Sequence, residues 1–83
     1  MDKNEVIKKV EKAILEHMAG YVEEDDVTPE SELVNDLGMD SLDIVELVMD
    51  LEDIFDIEFT EESLYKLPTV EDIAKYIIEN IGD

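Results

Sequence analysis

The stretch Leu37-Gly38-Met39-Asp40-Ser41-Leu42-Asp43-Ile44-Val45-Glu46-Leu47-Val48-Met49-Asp50-Leu51-Glu52-Asp53-Ile54-Phe55 decides the fold. Leu47, Leu51 and Phe55, supported by Ile44, Val48 and Ile54, recur at helical spacing, and residues 41–55 are therefore expected to form a helix with a broad inward stripe. Leu42, Val45 and Met49 form a second apolar line, spaced three and four apart and bordered by Asp43, Glu46, Asp50, Glu52 and Asp53. The two lines imply separate uses, one in a core and the other against either a further helix or a partner. Gly38 can supply a tight turn, Asp40 can cap the helix, and Ser41 then stands exposed near the positive end of the helix dipole. Such a serine, with no histidine close by in sequence, suits modification by another enzyme better than nucleophilic catalysis. Local rules alone favour the plainer alternative, in which Asp40 or Ser41 is only a helix cap.

On the N-terminal side, Ile7, Val10, Ile14 and Met18 mark a first helix over about residues 4–18, its stripe widened by Val6, Ala13 and Leu15 and its end set near Ala19 by Gly20. Residues 21–37 read as a long connection, exceeding the usual two to eight residues of a bundle, so an overhand route across the molecule is expected. Val22, Val27, Leu33, Val34 and Leu37 can anchor it, and Thr28-Pro29-Glu30-Ser31 can form a short turn. Beyond Phe55, residues 56–59 form a connection held by Ile57 and Phe59. Thr60 can cap a short third helix over residues 61–66, which Pro68 would stop. Thr69 can cap a last helix whose apolar side is Val70, Ile73, Ala74, Ile77 and Ile78, with Tyr76 closing the core and residues 80–82 fraying. The expected architecture is all-α: a four-helix bundle with a short third helix and a long loop between helices one and two, in one domain over residues 1–83.

The chain of 83 residues carries 25 acidic side chains against six lysines, for a formal charge of −19. That balance argues against nucleic acid and for basic protein surfaces as partners. The chain has no cysteine and a single histidine, His17. Neither a disulfide framework nor a Cys/His zinc site is available, and no metal site is expected. Asp36-Leu37-Gly38-Met39-Asp40 has the wrong spacing for a calcium loop, leaving only weak divalent binding by clustered carboxylates. Asp43 and Glu46, or Glu46 and Asp50, neighbour each other on the helix but offer no enclosed acid–base site, and His17 reads as a boundary residue. No apolar run is long enough to span a membrane, and Met1-Asp2-Lys3-Asn4-Glu5 lacks the regions of a signal peptide. A cytoplasmic location without stable membrane insertion is expected.

Asp36-Leu37-Gly38-Met39-Asp40-Ser41-Leu42 with the helix that follows resembles the modification site and second helix of acyl carrier proteins, as do Phe55-Asp56, the region from Glu61 to Leu67, and Thr69-Val70. The resemblance implies that Ser41 receives 4'-phosphopantetheine from a holo-carrier-protein synthase. The arm would supply the thiol that this cysteine-free chain lacks, making the protein a carrier rather than an enzyme. The resemblance also implies partner recognition by Asp40, Leu42, Asp43, Val45, Glu46, Met49, Glu52 and Asp53, with Met39 adding bulk beside Ser41. Partners would be acyl-transfer, condensing and reducing enzymes with basic docking surfaces, and the carrier a monomer. A covalently bound acyl chain would enter between helices two and three, lined by Val48, Leu51, Phe55, Phe59, Leu64, Leu67 and Ile73. Fatty-acid synthesis is the leading role. Ile57, Phe59, Leu64 and Tyr65 are bulkier than that class often carries, which keeps a polyketide or other specialised carrier as the alternative. An unmodified acidic adaptor is the rival of a different class.

Overall fold

A computed structural model of the chain describes residues 2–60 and 69–81. Three α-helices are present among them: α1 (Lys3–His17), α2 (Ser41–Phe55) and α3 (Val70–Ile81), with a single 3-10 turn at Glu24–Asp26 between the first two. No strand forms among the described residues, only isolated bridges at Ala19 with Val22 and Glu32 with Thr69. The expected short helix over residues 61–66, with Leu64, Tyr65 and Leu67, lies outside the described residues.

Each helix starts where a side chain takes up its first unpaired backbone donors. Asp2 accepts from the Asn4 N–H at 3.2 Å. Thr69 Oγ1 accepts from the Asp72 N–H at 3.2 Å, while an Asp72 carboxylate oxygen takes the Thr69 N–H and hydroxyl in return. α1 ends at Met18, whose N–H bonds the Ile14 carbonyl, and Gly20 turns the chain at a φ of 89°. Asp56 closes α2 in the left-handed region, a conformation that aspartate tolerates better than most residues.

α1 lies at the centre of the packing, meeting both α3 and α2. Val6, Val10 and Ile14 from α1, Leu47 and Leu51 from α2, and Val70, Ile73 and Ile77 from α3 are fully or almost fully buried in one contiguous core. Burying apolar side chains of this size removes roughly 1.5–3 kcal/mol of unfavourable hydration apiece, and this drives the helices together in a chain without disulfides.

The long connection is ordered by the core and by α3. Val27, Leu33 and Leu37 are buried, Ser31 Oγ donates to the Asp26 carbonyl, and the Val70 and Glu71 N–H groups donate to the carbonyls of Ser31 and Pro29. The loop therefore crosses to the start of α3, and its carbonyls satisfy donors that a helix start leaves unpaired. Val34 departs from expectation and is mostly exposed. The chain coils through residues 32–38, with Asp36 N–H to Glu32 O and Gly38 N–H to Val34 O, so Leu33 and Leu37 share the inward face and Val34 turns out. Ile54 is half-exposed as well, because by helical projection it lies about 20° outside Leu47, at the edge of the inward stripe and in the last turn of α2. The Tyr76 hydroxyl donates to the Glu58 carbonyl at an exposed position, and its ring stacks on Phe59 with centroids 4.7 Å apart.

Candidate functional site at the start of the second helix

Gly38, with a φ of 70°, brings the chain out of the coiled connection and turns it toward α2. Met39 then goes inward. It is 1% exposed and joins the core, so its side chain does not add bulk beside Ser41 as expected. A long flexible thioether here pins the loop to the bundle immediately before the helix begins. Asp40 Oδ1 accepts from the Asp43 N–H at 2.9 Å, and the Asp40 N–H donates to Asp43 Oδ2 at 3.2 Å. This reciprocal pair is a capping box closed by aspartate. Because Asp40 does the capping, Ser41 is released from it. Ser41 is exposed as the first helical residue, and its hydroxyl has no hydrogen-bond partner among the described residues.

Three neighbours on α2 surround that position with apolar surface. Leu42, Val45 and Met49 are 65%, 41% and 58% exposed, whereas Leu47, Val48, Leu51 and Phe55 on the other face are buried. Asp50 and Asp53 are exposed along the same helix. Glu52 has a structural tie as well, since its Oε2 accepts from the Phe59 N–H at 2.8 Å and fastens the segment after α2.

Asp43 is shared between the cap and α1. Its Oδ1 lies 3.4 Å from His17 Nε2, and Glu46 Oε2 lies 3.4 Å from the same nitrogen. The Asp40 N–H holds the Asp43 carboxyl below the ordinary value of 3.8; partial burial opposes this and His17 adds to the lowering. The sequence offered no sign that His17 would meet these residues, since the contact depends on how α1 crosses α2.

Of the expected acyl lining, Val48, Leu51, Phe55 and Ile73 are buried and Phe59 is partly buried against Tyr76. Leu64 and Leu67 fall outside the described residues. A surface groove elsewhere, bordered by Lys8, Lys12, Glu24 and Asp25, contains none of this set. Asp36, part of the sequence's best calcium candidate, instead accepts the Glu32 N–H at 2.7 Å.

With this geometry in place, likeness to known proteins decides the family. Residues 12–77 match the family described as the phosphopantetheine attachment site. The acyl carrier protein of Rubrobacter xylanophilus is 39% identical over 80 residues, covering 96% of each chain. A solved structure of the acyl carrier protein from Enterococcus faecalis superposes with a TM-score of 0.77 at 38% identity, covering 96% of this chain and 99% of that one.

The chain belongs to the acyl carrier protein family. It is a carrier rather than an enzyme, it bears 4'-phosphopantetheine, and it works with a synthase and biosynthetic enzymes while holding an acyl chain covalently. An acyl carrier protein needs one accessible hydroxyl at which the arm can be attached. An exposed serine at the positive end of α2, without a hydrogen-bond partner among the described residues, fits a phosphodiester, whose charge the helix N-terminus favours. Among the described residues no helix is long and apolar enough to cross a membrane.

Proposed function

We infer that Ser41 is the attachment residue and that this carrier serves fatty-acid synthesis in the cytoplasm, as a monomer formed by one domain. The observation that carries the assignment is the exposed Ser41 hydroxyl at the first position of α2, without a partner among the described residues because Asp40 and Asp43 complete the cap between themselves. Attachment forms a bond from Ser41 Oγ to the pantetheine-bearing phosphorus of coenzyme A and breaks that phosphorus's diphosphate P–O bond, releasing adenosine 3',5'-bisphosphate, with the hydroxyl proton passing to the synthase. The arm, when bound, supplies a thiol that holds the acyl group as a thioester. The chain's own part is to present the hydroxyl, offer a docking face and shelter the cargo.

The docking face is read as Leu42, Val45 and Met49, flanked by Asp40, Asp43, Glu46, Glu52 and Asp53. Exposed apolar side chains give short-range contact, while the acidic rim steers basic enzyme surfaces into encounter. Each exposed ion pair contributes only about 0.2–1 kcal/mol, a weakness that suits a carrier passing between enzymes. The acyl chain is assigned to the Val48, Leu51, Phe55, Phe59 and Ile73 side of the bundle, with Leu64 and Leu67 completing the set. Burial of Val48, Leu51, Phe55 and Ile73 supports that assignment.

Incubation with coenzyme A, magnesium and a carrier-protein synthase is expected to add one phosphopantetheine to the parent chain and none to Ser41→Ala. Modification of Ser41→Ala, seen by intact mass, would overturn the attachment residue. Failure of the parent across several competent synthases would instead favour the acidic adaptor. Transfer of saturated fatty acyl groups onto the modified chain then tests the pathway against the polyketide alternative.

A further inference from the structure

We propose that His17, Asp43 and Glu46 form a chelating site for a zinc-class divalent cation, joining the last turn of α1 to the first turns of α2. One ligand atom from each of His17, Asp43 and Glu46 lies within 4.8 Å of the other two. His17 Nε2 is 3.4 Å from each of the two carboxylate oxygens. Those separations exceed the roughly 2.7–2.9 Å of a charge-assisted hydrogen bond. They match the edge of a zinc tetrahedron instead: with Zn–N and Zn–O bonds of about 2.0–2.2 Å at tetrahedral angles, neighbouring ligand atoms stand about 3.3–3.5 Å apart. Glu46, a long side chain more than half exposed, has room to adjust its oxygen to the remaining edge.

The chemistry of the donors selects the cation. One imidazole nitrogen with two carboxylate oxygens suits zinc and its first-row neighbours, whereas calcium and magnesium prefer oxygen alone. Three protein ligands leave the fourth position open to water. The site is also partly set in advance. The side chain of His17 is 15% exposed, held at the junction of the two helices, and the Asp40 N–H fixes Asp43 by one carboxylate oxygen so that the other faces His17. A ligand oriented by an outer hydrogen bond is how metal sites keep their geometry. This inference concerns the folded chain and stands whether or not Ser41 carries the arm.

The test is calorimetric titration of the full chain with zinc chloride at neutral pH, using chain not yet modified at Ser41 so that no thiol competes for the metal. One zinc per chain is expected. Loss of a direct ligand should weaken binding at least as much as loss of an outer partner, so His17→Gln and Glu46→Gln are each expected to lose at least ~10-fold in affinity. Glu16→Gln, which removes the same charge at an exposed position on α1, is expected to bind as the parent does. Zinc should raise the thermal midpoint of the parent and Glu16→Gln, but not of the two ligand variants. If His17→Gln does not fold, Glu46→Gln decides the matter, since its side chain lies mostly in solvent. Undiminished zinc affinity in a folded ligand variant overturns the site. So does a midpoint shift from magnesium equal to that from zinc, which would mean diffuse attraction to the acidic surface.

Discussion

The two faces of α2 carry apolar side chains of similar size and opposite fate. Leu47 and Leu51 are fully buried in the core shared with α1 and α3, while Leu42 and Met49, on the same helix, stand mostly in solvent. Hydrophobicity alone therefore assigns no role to a residue on this helix. Angular position does, because α1 covers one side of α2 and the described residues leave the other uncovered. A single exposed apolar side chain on a protein surface is ordinary, whereas three at helical spacing, rimmed by carboxylates, form a patch of the kind that meets partners. The inward face gives α2 its place in the bundle, and the outward face uses that fixed place to present Ser41 and its surroundings to other proteins.

The inward face breaks first under truncation. Leu51→Ala removes a fully buried side chain from the meeting point of the helices and is expected to destabilise the fold by roughly 2–5 kcal/mol, measured by equilibrium denaturation. Met39→Ala should fall in the same range, because Met39 belongs to this core although it precedes the helix. A loss for Met39→Ala as small as that of a surface substitution would return its side chain to the neighbourhood of Ser41.

Met39 also marks where the sequence stops being legible. The apolar stripes of α1, α2 and α3, the caps Asp40 and Thr69, and the second apolar line through Val45 could all be read from spacing, because helical periodicity and capping are local properties; that this line is exposed could not. Val34, Ile54 and Met39 could not. Their burial depends on a coiled loop, on the edge of a stripe and on a turn, and none of these leaves a periodic trace. The 3-10 turn at Glu24–Asp26 was hidden in an acidic run that reads simply as loop. The same limit applied at the site: Ser41 and its flanking acids were visible as a motif, but the approach of His17 to Asp43 and Glu46 needs two helices distant in sequence to be placed against each other.

The cap joins the two faces and has an intermediate effect. Asp40→Ala is expected to lower stability by about 1 kcal/mol, since it leaves the Asp43 N–H without its side-chain acceptor. Acid should reach the same link from the other partner. The carboxyl of Asp43 is held below 3.8 in the fold, so its contribution is present above that ordinary value and is lost as the pH falls through the lowered one. Glu11 has the opposite sign: burial, the largest influence, raises its carboxyl above 4.5, Lys8 works against that and Glu24 adds to it. Acidification through the raised value of Glu11 therefore relieves a small destabilisation before the Asp43 link fails. Denaturation across acidic pH with Glu11→Gln and Asp43→Asn separates the two: Glu11→Gln should abolish the early gain, and Asp43→Asn the later loss.

The smallest effect on stability is expected where the consequence for function is largest. Val45 is part of the outward line and about two-fifths exposed, so Val45→Ala removes far less buried area than Leu51→Ala and should shift stability by no more than about 1 kcal/mol. The same truncation takes apolar surface from the middle of the docking face, between Leu42 and Met49, and is expected to slow acyl transfer from a partner enzyme. Glu46→Lys should slow it more at low salt than at high salt, because it reverses a charge that attracts a basic surface and salt screens that attraction. Paired measurements of unfolding and transfer rate decide between the faces. If Val45→Ala were as unstable as Leu51→Ala and its folded fraction transferred acyl groups at the parent rate, Val45 would belong with the core, and the docking face would contract to Leu42 and Met49 with their acidic border.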